Sequence, residues 1–176
     1  MNEYKITVPI ENLAELEKLC IRDKVYLSGT IYVFRDQVHK KIANNRNLPP
    51  PSLVNFQNSA VYYCSATPPK NGFVIGSCGP TSSYRMDPYT EDLLSLGVKM
   101  MIGKGYRDRK IIELCMKYKA VYLITYGGCG ALLNKHIEDV KLVAYPELGT
   151  EAMYEYKIHD FPGIVAIDTK GNAIWL

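Results

Sequence analysis

VKMMIGKGYRDRKIIELCMKYKAVYLITYGGCG, residues 98–130, is the stretch on which the fold turns. It opens with an apolar run over 98–102, passes Gly103-Lys104-Gly105, and enters a helical segment over 109–119. A second apolar run follows at 121–125, ending on Tyr126-Gly127-Gly128-Cys129-Gly130. Short apolar runs bounded by glycine are the pattern of strands covered on both faces, and strands alternating with helices favour a parallel arrangement.

Outward from this centre, residues 24–34 (KVYLSGTIYVF) are rich in β-branched and aromatic side chains and predict a strand, bent at Gly29. A helix is expected over 36–42, and short strands over 61–63 and 73–77. Another helix is expected over 89–96, with Asp87 as its cap, Pro88 at its first position and Gly97 at its end. A short helix over 131–136 precedes strands at 141–144, 152–158, 164–167 and 173–176, the last two separated by a turn at 169–172. Loops are expected over 44–58, around Pro49-Pro50-Pro51, and over 66–72, with Pro68-Pro69. The fold class is therefore α/β: one domain over 1–176, with a mixed sheet parallel at its centre and a second strand layer. A three-layer β/β/α arrangement fits.

The 176 residues suit one domain with a substantial core. The net charge is only +3, and no basic stripe marks a nucleic-acid partner. No apolar run approaches the length of a membrane span. The first residues, MNEYKITVPI, lack the apolar core of a signal peptide, so a cytoplasmic location is expected. His39-Lys40-Lys41 and the stretch 107–110 read as solvated helix faces. The five cysteines contain no CxxC pair, so no metal site is expected from this chain alone. Most of them read as small buried apolar residues, while Cys78 and Cys129, beside glycines, stand apart.

Three segments join glycines, hydroxyls and cations at strand ends, where sites are commonly built. Phe34-Arg35-Asp36-Gln37-Val38-His39 marks a strand-to-helix junction. There Arg35 can grip a carboxylate with two parallel hydrogen bonds, and His39 falls one turn later. Gly79-Pro80-Thr81-Ser82-Ser83-Tyr84-Arg85-Met86-Asp87 places three hydroxyls before Arg85, which Asp87 can orient. Gly103-Lys104-Gly105 lets the backbone approach a ligand beside a lysine, although it is not a P-loop. Each segment also has a plainer reading, as surface charges, a capping turn and a solvated βα turn. Tyr126-Gly127-Gly128-Cys129-Gly130 reads as a structural tight turn. Arg35, Arg85 and Lys104 together suit a dicarboxylate or a phosphate, which spacing does not separate.

These segments, in this order, resemble the β subunit, or C-terminal domain, of class I fumarate hydratases and L(+)-tartrate dehydratases. The resemblance rests on LSGTIYVFRDQVH (27–39), GPTSSYRMDPY (79–89), IGKG (102–105), YGGCGAL (126–132), ELGTEAMYEYKIHDFP (147–162) and IDTKGN (167–172), which span most of the chain. Ser82 stands where the family usually has threonine, and Tyr106 where asparagine is common. The resemblance implies a swivelling β/β/α domain and a hydro-lyase reaction, the reversible hydration of fumarate to malate, or alternatively dehydration of tartrate. It implies Arg35, Ser82, Arg85 and Lys104 as substrate-binding residues, with Thr81 and His39 as candidates for proton abstraction. It also implies a 4Fe–4S cluster held by a separate α subunit, and an assembly with two copies of each chain. The other reading left open is a non-catalytic dicarboxylate- or anion-binding module of the same fold.

Overall fold

The computed structural model describes residues 1–44, 54–70 and 72–175. Its strands are β1 (Glu3–Val8), β2 (Lys24–Val33), β3 (Ala60–Tyr62), β4 (Met100–Gly103), β5 (Val121–Ile124), β6 (Ile137–Ala144) and β7 (Met153–Ile167). The helices are α1 (Ala14–Lys18), α2 (Asp36–Asn44), α3 (Thr90–Ser95), α4 (Arg109–Tyr118) and α5 (Gly130–Leu133), with 3-10 turns at Ser83–Tyr89, Asn134–His136 and Pro146–Glu151.

All strands join one mixed sheet in the order β1-β2-β3-β4-β5-β7-β6. Each neighbouring pair from β1 to β5 is parallel. The long β7 runs antiparallel to β2, β5 and β6. Because β7 pairs with both β2 and β5, the strands β2-β3-β4-β5-β7 close into a ring.

Side-chain alternation along these strands divides the apolar residues between two cores. Ile31, Tyr62, Ile102, Leu123, Ile158 and Val165 belong to one. Their neighbours Tyr32, Val61, Met101 and Tyr122 belong to the other, with Ile111 and Leu114 of α4. Each such side chain, fully buried, contributes about 1.5–3 kcal/mol. Strands whose two faces are both covered carry continuous apolar runs, which is why 98–102 and 121–125 are legible as strands.

The structure corrects several expectations. Strands expected separately at 152–158 and 164–167 are one strand, β7. The gap between them is a bulge opposite Ser28, where Asp160 takes φ +44° and its N–H donates to Ser28 Oγ at 3.0 Å. Gly29 bends β2 at the same place with φ +111°, against the Val8 carbonyl. Residues 73–77 form no strand: Phe73 and Val74 are exposed, and the segment bends back onto Thr67 through Gly76 N–H to the Thr67 carbonyl and Ser77 N–H to Thr67 Oγ1. Near the C-terminus only Ala173 bridges to Ile167, and Leu176 lies outside the described residues. Asp87 caps no helix, and Pro88 lies within the 3-10 turn that precedes α3. β1 and α1, which no periodicity announced, complete the N-terminal side. Most of the loop expected over 44–58 lies outside the described residues. No helix among the described residues is long and apolar enough to cross a membrane.

Candidate active site

Because β2 to β5 are mutually parallel, their C-terminal ends share one edge of the sheet. That edge presents Arg35 beyond β2, Tyr63 beyond β3, Lys104 beyond β4 and Tyr126-Gly127 beyond β5. Ligands of parallel sheets commonly bind beyond such ends.

The segment 80–83 is stitched across this edge. Pro80 bridges to Cys64, Thr81 N–H donates to the Tyr63 carbonyl at 2.7 Å, and Ser82 bridges to Lys104. Ser83 N–H donates to the Lys104 carbonyl at 3.0 Å, and Lys104 N–H returns a bond to Ser83 Oγ at 3.1 Å. Gly103 is a glycine for this reason: a Cβ there would lie 2.0 Å from Ser83 Oγ. The closeness expected toward a ligand is therefore spent on Ser83. Gly105, at φ +81° with open space around it, turns the chain away.

Arg35, Asp36 and Arg85 form a second group. Asp36 opens α2, where a carboxylate complements the helix dipole. Its Oδ1 lies 3.1 Å from Arg35 Nε and its Oδ2 2.7 Å from Arg85 Nη2. Burial tends to raise the Asp36 carboxyl, but the Arg35 hydrogen bond and the charges of Arg35 and Arg85 outweigh it and hold it below the usual range. Glu151 adds an ion pair to Arg35 Nε at 3.0 Å. Both contacts of Arg35 use Nε, the inner nitrogen of the fork.

The predicted residues thus divide. Thr81 and Ser82 lie on the stitched segment, with Ser82 bridged to Lys104, and all three are partly accessible. Arg35 and Arg85 converge on Asp36, which replaces Asp87 as the carboxylate that orients Arg85. His39 sits apart from solvent, only 1% exposed, and not on a solvated helix face. Its ring packs against Phe34, Tyr63 and Tyr89. Its Nδ1 lies 2.8 Å from the Arg35 carbonyl, which fixes Nδ1 as the protonated nitrogen, and its buried Nε2 has no partner among the described residues. Burial pushes its pKa down to about 4, so the ring is neutral near pH 7.

Four further participants escaped the sequence. Arg107, expected on a solvated face, is buried with its guanidinium between the rings of Tyr63 and Tyr122 and paired with Asp87. Glu151 came from a segment with no charge pattern. Gly127 lies against the Lys104 side chain, where a Cβ would be 3.4 Å from Cδ. Gly130 presses on the loop before Thr81, where a Cβ would meet Gly79 N at 2.6 Å. The tight turn after β5 is therefore a wall of the site as well as a packing device.

No three His, Cys, Asp or Glu side chains converge among the described residues. Cys64, Cys78 and Cys115 are buried, and Cys20 and Cys129 are exposed. Burial raises the Cys64 thiol and pushes Cys78 and Cys115 up to about 12, which opposes the thiolate a metal requires.

Comparison with known proteins gives concordant matches. The family model described as fumarase C-terminus matches residues 2–176. The aerobic class I fumarate hydratase of Escherichia coli (strain K12) is 35% identical over 168 residues, covering 92% of this chain and 30% of that protein. Fumarate hydratase 2 of Leishmania major is 34% identical over 170 residues, with 95% and 30% covered. The L(+)-tartrate dehydratase subunit beta of Escherichia coli (strain K12) is 32% identical over 172 residues, with 95% and 84% covered. The chain spans about 30% of the length of the fumarate hydratases it matches and most of the length of the tartrate dehydratase subunit.

Proposed function

Because this chain belongs to the fumarase C-terminus family, we propose that it is the β subunit of a hydro-lyase that hydrates fumarate to malate. The observation that supports the reading is the placement of Arg35 and Lys104 just beyond the C-terminal ends of β2 and β4, with Ser82 bridged to Lys104 and Arg85 held beside Arg35 through Asp36. A dicarboxylate needs separated cations, and these three lie on three different segments, two beyond strand ends and one in the 3-10 turn.

The chemistry then follows from the residues. The outer nitrogens of Arg35, with Arg85 and Lys104, hold the two carboxylates. Proton removal beside a carboxylate builds negative charge on its oxygens, and preorganised cations stabilise that charge. One such donor typically contributes about 2.7–4 kcal/mol. Thr81 is the proton-handling hydroxyl in this reading, with Ser82 hydrogen-bonding the substrate. His39 is enclosed and neutral, so we assign it the support of the Arg35 backbone ahead of a role as base. Loss of hydroxide calls for a Lewis acid. We place that function, as a 4Fe–4S cluster, on a separate α subunit, in an assembly of two copies of each chain in the cytoplasm. The swivelling three-layer description belongs to the same reading, and the two apolar cores support it.

The test is reconstitution. The chain is purified alone and with a cluster-bearing α chain under anaerobic conditions, and fumarate hydration and tartrate dehydration are assayed. Turnover of fumarate by the complex and none by the isolated chain is expected. Tartrate turnover alone moves the assignment to a tartrate dehydratase, and neither activity refutes the hydro-lyase reading. Tight dicarboxylate binding by the isolated chain in calorimetry points instead to a non-catalytic module.

A further inference from the structure

Arg107 is the one buried lysine or arginine among the described residues, with its side chain fully enclosed. It belongs to the loop between Lys104 and α4, yet its bonds reach elsewhere. Its Nε bonds Asp87 in the 3-10 turn, and its Nη2 donates to Thr90 Oγ1 at 2.7 Å at the start of α3. Asp87 completes the joint, because its second oxygen accepts from Asp108 N–H at 2.8 Å. The rings of Tyr63 and Tyr122 flank the guanidinium at 5.5 and 5.1 Å. Tyr122 adds a parallel tie, its Oη lying 2.9 Å from both Ser83 Oγ and the Gly105 carbonyl.

Two segments are fastened by these bonds. One carries Arg85, two residues before Asp87; the other carries Lys104, three residues before Arg107. Burying a guanidinium is costly, and an apolar side chain of similar volume often serves stability as well or better. A planar fork with several fixed donors supplies something different, a defined angle and distance between the groups it joins.

We propose that Arg107 is a positioning residue that sets the spacing between Arg85 and Lys104. The inference rests on the reading of those two cations as the dicarboxylate clamp. Arg107 touches no substrate; it acts through the frame on which both cations ride.

Arg107→Lys keeps the charge but loses the fork. Thr90→Val removes one acceptor at nearly constant volume, and Thr90→Ser restores it. Two readouts are taken: steady-state kinetics on the reconstituted complex, and amide hydrogen exchange on the full chain. In Arg107→Lys, KM for the dicarboxylate is expected to rise on the order of tenfold, with a smaller fall in kcat. Exchange over 83–89 and 103–108 is expected to speed up together, while β2 and β7 stay protected. Thr90→Val shifts both readouts the same way by less, and Thr90→Ser returns them toward the parent. A lowered melting temperature with unchanged KM overturns the proposal. So does exchange that rises evenly through the chain, or in only one of the two segments. If the parent complex turns over neither fumarate nor tartrate, the hydro-lyase reading has failed, and the exchange pattern still decides whether Arg107 couples the two segments.

Discussion

Arg85 Nη2 lies 2.7 Å from Asp36 Oδ2, so the 3-10 turn that carries one cation is latched to the first turn of α2. Asp36 also takes Arg35 Nε at 3.1 Å, and a single carboxylate therefore spaces two arginines. Asp36→Asn removes the charge and keeps the shape. Such partly exposed pairs contribute about 1 kcal/mol or less to stability. The expected result is a nearly unchanged melting temperature with KM raised by roughly tenfold, because the forks lose their fixed orientation. Steady-state kinetics on the reconstituted complex check this.

Thr81 and His39 are separable by substitution. Thr81→Val removes the hydroxyl at constant shape and should lower kcat by about a hundredfold or more, the range for a lost proton-transfer group. Thr81→Ser should retain most of the turnover. His39→Gln should leave kcat within about tenfold. The reverse pattern would transfer the proton-handling role to His39.

His39 also makes stability depend on pH. Its folded pKa of about 4 lies below the ordinary value of 6.5 because burial disfavours the charged ring. Between those values the unfolded chain binds a proton that the folded chain does not. Stability is therefore greatest above the unfolded pKa and falls as pH drops toward the folded one. From pH about 7 to about 5 this single group should cost on the order of 2 kcal/mol. Urea unfolding at the two pH values measures the loss, and His39→Gln should flatten that part of it.

Gly130 meets backbone where a side chain would begin, 2.6 Å from Gly79 N and 3.1 Å from Cys78 N. Backbone yields less readily than a side-chain end. Gly130→Ala should destabilise the chain by about 1–3 kcal/mol. It should also displace the loop leading into Thr81, so kcat should fall alongside the melting temperature. Gly128→Ala, where no atom lies within 4 Å, is the control: it should show only the strain of its φ of +79°.

The central strands and their helix were legible because burial on both faces leaves long apolar runs, and Val121–Ile124 sits where its run predicts. The short β3 was legible too, while 73–77 was not excluded by its composition. Phe73 and Val74 read as strand residues, yet nothing covers them, and the chain folds back on Thr67 instead. The bulge at Asp160 hid the continuity of β7 because it breaks the two-residue period. At the site, Arg35 and Lys104 were visible as cations beside strand ends, whereas Arg85 follows no strand and rides on a 3-10 turn. Arg107 was not, since a single arginine beside other charges looks the same in sequence whether water or two tyrosine rings surround it. Asp87 was misread for the same reason: a residue before proline suits a helix cap, and only the fold brings Arg107 to it.

The ring closed by β7 has a consequence for how the chain acquires its structure. Its register pairs Lys24 with Ile164 and Val33 with Tyr154, partners from opposite ends of the sequence. Loop closure on that scale is entropically slow, and few native contacts reward it until the strand is seated. On a ribosome, β2 to β5 emerge before the strand that closes them. Until β7 arrives, the open flanks of β2 and β5 expose unpaired backbone groups able to recruit other chains. Aggregation during synthesis, more than loss of the finished fold, is then the hazard that substitutions within β7 would bring first.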